Sequence, residues 1–226
     1  VTTLSLTERD RTILLALLHK VPVLSVSALS ELWPDTDSGR DNLARRVWQL
    51  EDAGLVRRYS LSVQSAPTVS LFYDWSPGKP EPDLGAAAWA LSKRWAALEP
   101  RRVAFVTATA TAATRYGVTI RNPLRSTSAV AHNVGLGMVY MHYLMHEPLL
   151  ASAWVAEEVI AAARGHGEKV VDACIVDSTS TPALAVEFAG ASYAASNGER
   201  LRDIHHDCSE RGLPYEMWTV PEGGAA

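Results

Sequence analysis

Two groups of residues have the types and spacing to do chemistry. The first is a donor-rich set around Arg45. Asn42, Arg45, Arg46 and Gln49 recur at offsets of three, four and seven, on one face of a helix, while Leu43, Val47 and Leu50 fall on another. Guanidinium groups suit guanine edges and carboxamides suit adenine. Arg40, Arg57 and Arg58 extend the set with cations for phosphates, so five arginines lie within nineteen residues. A solvated polar face, or a surface for another protein, is the plainer alternative. The second group is acidic: Glu157, Asp172 and Glu187. Converging carboxylates hold Mg²⁺ or Mn²⁺, which activate water for phosphodiester hydrolysis. Glu157 and its neighbour Glu158 also read as surface helix residues, and Asp172 as the start of a strand. Glu187 lies in the apolar run Leu184-Ala-Val-Glu-Phe-Ala189, where a carboxylate is costly unless paired or ligated.

The donor set needs a helix that projects it. The stretch from Asp41 predicts a helix stopped by Gly54 and turning directly into a strand. That pattern looks like the recognition helix and first wing strand of a winged helix-turn-helix, with duplex DNA as the partner. Upstream, Thr7 and Asp10 form a capping box for a helix from Glu8, with Ile13, Leu14, Leu17 and Leu18 as its buried stripe. Ser27 is the expected cap of a second helix over 28–33, and 34–39 reads as a turn, with Ser38 or Asp41 as the next cap. Alternation predicts strands over 55–63 and 69–75, joined at 64–67 as a β-hairpin wing.

The carboxylates need a different frame. After a proline-rich connector at 76–83 come an alanine-rich helix over 84–98, a strand at 102–106 and a helix capped by Thr107 that ends near Gly117. A loop over 118–128 precedes a long helix over 128–146, weakened by Gly135 and Gly137. A further helix over 149–164 carries Trp154 and Glu157. Strands at 170–176 and 183–188, an amphipathic helix at 197–211 and a strand at 215–220 complete a mixed α/β unit. The expected domains are a winged helix-turn-helix at 1–76, a connector with helices at 77–127 and a small α/β domain at 128–226. The fold class is mixed α+β.

A net charge of −4 argues against nonspecific coating of nucleic acid, while a local arginine cluster still suits a defined site. No apolar run is long enough to span a bilayer and no signal peptide is visible, so the expected location is cytoplasmic, with no membrane partner. Two cysteines, Cys174 and Cys208, are too few for a disulfide framework and are expected as thiols. His142 and His146 are four apart, a metal-compatible spacing, but lack the glutamate of a zinc protease motif. They read as partly buried helix residues, and His205-His206 as a polar helix face. No glycine-rich phosphate loop or serine nucleophile elbow is present.

Trp154-x-x-Glu157, Val171-Asp172-Ala173 and Val186-Glu187-Phe188, behind a winged-helix pattern, resemble the replication-relaxation family. His132-Asn133 before an apolar helix is similar to that family's histidine-led helix. The resemblance covers most of the chain on short motifs. It implies a protein of a plasmid or other mobile element, linked to replication and mobilisation, whose C-terminal domain is similar to the PD-(D/E)xK, or restriction-endonuclease-like, fold. Glu157, Asp172 and Glu187 match its acidic positions, with Asp172 and Glu187 as metal ligands. Ala189 stands where the nuclease pattern has its lysine, which stabilises the nucleophile and the developing phosphorane charge. Arg200 or Arg202 could supply a displaced cation, and Gly190 and Tyr193 look like a variant subgroup. The reading that follows is a DNA-binding protein with an inactive nuclease-like domain and no cofactor. The alternatives are a Mg²⁺- or Mn²⁺-dependent endonuclease or nickase, and a winged-helix repressor whose C-terminal half binds a ligand or forms a homodimer.

Overall fold

The computed structural model describes residues 4–33, 39–120, 122–163, 170–196 and 198–222, the side chains at 39–41 and 194–195 excepted. Helix α1 (Glu8–His19) starts where the sequence places it. The Thr7 hydroxyl accepts from the Asp10 backbone N–H, and the Asp10 carboxylate accepts from the Thr7 N–H at 2.6 Å. A two-residue strand β1 (Leu24–Ser25) leads into α2 (Val26–Leu32). Ser25, not the expected Ser27, caps α2: its hydroxyl accepts from the Ala28 N–H at 3.1 Å, and Val26 is already helical. The turn at 34–38 and its proposed cap Ser38 lie outside the described residues. Helix α3 (Gly39–Asp52) is closed by Gly54 in the left-handed region, φ +69°. Leu43, Val47 and Leu50 are buried in one cluster with Ile13, Leu14 and Leu17 of α1.

The strand that follows, β2 (Val56–Gln64), does not form the expected hairpin. The next strand, β3 (Ser70–Trp75), leaves for a different sheet. Beyond α4 (Leu84–Ala96), strand β4 (Pro100–Ala108) returns to pair antiparallel with β2, from Val56 opposite Ala108 to Gln64 opposite Pro100. It also pairs with β1, Leu24 opposite Val106, giving the sheet order β1-β4-β2. Side-chain burial decides the pairing. Val63 of β2 shares a buried cluster with Val103 and Phe105 of β4. Trp75 and Tyr73 of β3 instead pack their rings 5.8 and 5.9 Å from that of Tyr215, far along the chain.

Helix α5 (Ala110–Tyr116) is capped by Thr109 and ends on Gly117, φ +69°. Thr107, the expected cap, is still inside β4. Helix α6 (Thr127–His146) is buried on most of its surface and lies against both sheets. Its two glycines make that approach: a Cβ at Gly135 would sit 2.1 Å from the Phe188 ring, and one at Gly137 2.2 Å from the Val23 carbonyl oxygen. The expected single helix over 149–164 is instead α7 (Pro148–Ser152), strand β5 (Trp154–Ala156) and α8 (Glu157–Ala163), with residue 164 outside the described residues. Trp154 is 1% exposed and pairs opposite Ile175, and its indole N–H donates to the Lys20 carbonyl at 3.1 Å. Those contacts fix an extended segment where helical periodicity alone suggested continuity.

Strands β6 (Ala173–Val176) and β7 (Pro182–Phe188), helices α9 (Ala191–Ala195) and α10 (Glu199–Glu210), and strand β8 (Tyr215–Thr219) complete the chain. The second sheet has the order β3-β8-β7-β6-β5, with β7 and β8 parallel and the other pairs antiparallel. The fold is therefore mixed α+β. The expected boundaries at 76 and 127 do not part the two sheets, since β3 joins the second, β4 joins the first and α6 touches both. Among the described residues no helix is long and apolar enough to cross a membrane. Cys174 and Cys208 are buried and not disulfide-bonded.

Candidate functional site

Helix α3 has an outer face and a tethered flank. Arg45, Trp48 and Gln49 are exposed, opposite the buried Leu43, Val47 and Leu50. Arg45 donates from Nη2 to the Asn42 carboxamide oxygen at 2.7 Å, which aligns both side chains along the helix. Arg57, on the strand leaving α3, is exposed, and the Arg40 side chain lies outside the described residues. Thr7, Arg9, Asn42, Arg45, Arg46 and Gln49 line a shallow groove between the α1 N-terminus and α3.

Arg46 differs from the expectation of an outward reader. It turns under the helix to Asp10, which is completely buried. Its Nε lies 2.9 and 3.0 Å from the two Asp10 oxygens and Nη2 also reaches Asp10 Oδ2. Nη2 further donates to the Ser5 carbonyl at 2.7 Å, and Nη1 to Gln49 Oε1 at 2.8 Å. Burial alone would raise the Asp10 carboxyl, but the hydrogen bonds from Arg46 and Thr7 outweigh it and hold it below its ordinary value. Arg46 is thus a clamp between α3 and the first turn of α1. Arg58 is likewise engaged. Glu51 accepts its backbone N–H at 2.9 Å and its Nε, and the backbone bond leads the effects that keep the Glu51 carboxyl below its ordinary value.

The acidic group assembles in part. Asp172 immediately precedes β6, and Glu187 lies near the end of β7, antiparallel beside it. The Asp172 backbone N–H donates to Glu187 Oε2 at 2.9 Å, and the Phe188 N–H donates to Asp172 Oδ2 at 2.8 Å. His132, on α6, lies with Nε2 3.0 Å from Asp172 Oδ1. The Tyr193 hydroxyl of α9 donates to Glu187 Oε1. Every oxygen of the two carboxylates therefore has a partner within the protein. Glu157 joins the neighbourhood through its backbone, its N–H donating to the Asp172 carbonyl at 3.0 Å. Among the described residues no three His, Cys, Asp or Glu side chains are grouped to hold a metal ion. The expected three-carboxylate convergence is thus replaced by a pair, Asp172 and Glu187, with a histidine and a tyrosine. Of the Mg²⁺ or Mn²⁺ ligands that the resemblance implies, Asp172 and Glu187 lie together, and each of their oxygens has one hydrogen-bond partner and keeps a second lone pair.

The electrostatics follow from burial. Desolvation, then the Asp172 charge, raises the Glu187 carboxyl well above the usual carboxylate range. For His132 burial disfavours the cation, but the Asp172 charge and hydrogen bond outweigh it and lift the imidazole to about 9. Burial and charge thus favour the imidazolium beside Asp172 and disfavour the charged form of Glu187. Ala189, at the position of the nuclease lysine, is fully buried, and its carbonyl accepts from the Trp95 indole at 3.0 Å and the Thr219 hydroxyl at 2.8 Å. Arg200 comes nearest to a displaced cation. It lies 4.9 Å over the Tyr193 ring and donates to the Ser192 hydroxyl at 2.9 Å.

Three residues had little or no signal in the sequence. His132 was marked only as the head of an apolar helix, and although Val130, Ala131 and Val134 around it are buried, the helical pattern gave no partner for its ring. Trp48 was readable as an apolar residue three after Arg45 on a polar face. Lys20 donates from Nζ to the Ser152 and Trp154 carbonyls at 2.9 and 2.6 Å, and nothing local announces partners so far along the chain. No protein-family model, no curated protein and no solved structure matches this chain.

Proposed function

We propose that the chain is a DNA-binding protein of a plasmid or other mobile element. It acts in replication, mobilisation or transcriptional regulation through a winged helix, and its nuclease-like domain does not cleave. The observation that carries this reading is the outer face of α3. Arg45 and Gln49 stand exposed opposite the buried Leu43, Val47 and Leu50, with the exposed Arg57 on the strand that follows. The element order α1-β1-α2-α3-β2-β4 with sheet order β1-β4-β2 supports a winged helix whose second wing strand arrives only after an excursion into the other sheet. The order α6-β5-β6-β7-α10-β8, antiparallel then parallel, supports a restriction-endonuclease-like core. The mobile-element setting rests on the resemblance to the replication-relaxation family.

Binding without cleavage is supported by the buried Ala189, which leaves no cation at the lysine position. The second reading is a Mg²⁺- or Mn²⁺-dependent nuclease, and the pairing of Asp172 with Glu187 favours it. One experiment separates the two: incubate the full chain with duplex, single-stranded and branched DNA, with and without Mn²⁺, and follow both retardation and product length. The proposal expects retarded, intact duplex, weakened by an Arg45→Ala/Arg57→Ala double variant. Cleavage abolished by Glu187→Ala would replace it with the nuclease, and the absence of both retardation and cleavage would remove both.

A further inference from the structure

The outer face of α3 carries one large apolar group, Trp48, which is 54% exposed between polar neighbours. One side of its indole is covered by the Arg58 guanidinium, 3.5 Å from the ring centroid. Arg58 is itself held by Glu51 through its backbone N–H and its Nε. The ring is thus braced by a strand residue that a helix residue one turn further on holds in place, and about half of the side chain remains exposed. A braced aromatic side chain loses little conformational freedom on meeting a partner. The partner's chemistry follows from the surroundings. Arg45 and Arg57, both exposed, favour a polyanion, while the carboxylate of Asp52, exposed one turn beyond Trp48, disfavours phosphates at that end of the helix. A polyanion whose apolar groups lie recessed from its phosphates meets both conditions. In the major groove of duplex DNA that group is the thymine C5-methyl.

We propose that Trp48 is a specificity-determining residue that packs against a thymine methyl in the major groove. This rests on the DNA-binding reading and adds a base preference to it. Arg58 then serves as a brace for the indole, and sequence discrimination at that base pair comes from apolar contact in addition to hydrogen bonds.

The test begins with selection of sites by the full chain from a randomised duplex pool. Each thymine of the selected site is then replaced by deoxyuridine, which deletes only the methyl group. One thymine is expected to be sensitive, with affinity falling about four-fold, the factor for one methyl group returned to water. Trp48→Ala is expected to bind the thymine and deoxyuridine duplexes equally, with its urea midpoint matching the parent. Trp48→Phe should retain part of the discrimination. The proposal is overturned if no thymine is sensitive to loss of its methyl, if Trp48→Ala keeps the discrimination, or if Trp48 matters only for single-stranded DNA. Failure to select any duplex would instead overturn the DNA-binding reading on which it stands.

Discussion

Replacing Arg46 with methionine tests whether this guanidinium clamps the fold or stands ready for a ligand. Met keeps the aliphatic stem and removes the contacts to both Asp10 oxygens, the Ser5 carbonyl and Gln49. Asp10 would then be a completely buried carboxylate satisfied only by Thr7. Breaking a buried ion pair from one side costs about 3–5 kcal/mol. The Arg46 side chain is 17% exposed, so water can reach part of the gap, and we expect about 3 kcal/mol, the lower end of that range. Asp10→Ala removes the capping box as well, adding about 1 kcal/mol. The double variant has no uncompensated charge, so the two losses should fall short of additivity by about 2 kcal/mol. Urea unfolding at neutral pH measures all four proteins, with midpoints compared at constant slope. The lowered Asp10 carboxyl fixes the sign with pH: its contribution is present above its ordinary value of 3.8 and is lost as pH falls through the lowered one. An Arg46→Met protein within about 0.5 kcal/mol of the parent, the range of ordinary surface substitutions, would refute the clamp.

Three further outcomes follow from the same contacts. His132 and Glu187 both bind a proton more tightly in the folded chain than in the unfolded one. Their stabilisation is complete at low pH and is lost as pH rises, for His132 between its ordinary 6.5 and about 9. The melting temperature should fall across that window, by the equivalent of at most about 3 kcal/mol, and His132→Gln should flatten it; an identical profile in the variant would contradict the His132–Asp172 pair. Gly137→Ala would favour an isolated helix but places a methyl against the Val23 backbone carbonyl, so calorimetry should show a net loss of about 2 kcal/mol, and a gain would contradict the close approach of α6 to β1. Lys20→Met should cost about 1–3 kcal/mol in denaturant titration because two carbonyls lose their donor, and no change would mean that water replaces the ammonium.

What the sequence disclosed was mainly local. The Thr7–Asp10 box and the Gly54 stop depend on residues within a turn of each other, and both are present in the fold. Strand pairing was less readable: the alternation in 55–63 marks a strand but carries no address, and burial of Val63 with Val103 and Phe105 selects β4 over the nearer β3. The segment 149–164 mixes apolar and alanine-rich residues that suit either period, so the three-residue strand at Trp154 was hidden inside a helical pattern. Arg46 shared the spacing of the donor face, yet it sits on the flank toward α1. Its partner Asp10 was already accounted for by the capping box, so its second role left no trace. For the acidic centre, the apolar context of Glu187 marked it as a residue in need of a partner. The identity of that partnership, with the Asp172 amide and Tyr193, depends on β6 and β7 lying side by side.

The central claim is that α3 and the following strand present cations to duplex DNA, and the salt dependence of binding tests it most directly. Fluorescence anisotropy of a labelled duplex, titrated with the full chain between about 50 and 200 mM salt, should give a logarithmic affinity that falls linearly with the logarithm of salt. Arg45→Ala should weaken binding and, if Arg45 meets a phosphate, reduce the slope by about 1. No binding at the lowest salt, or an Arg45→Ala protein with the parent's affinity and slope, would contradict the account.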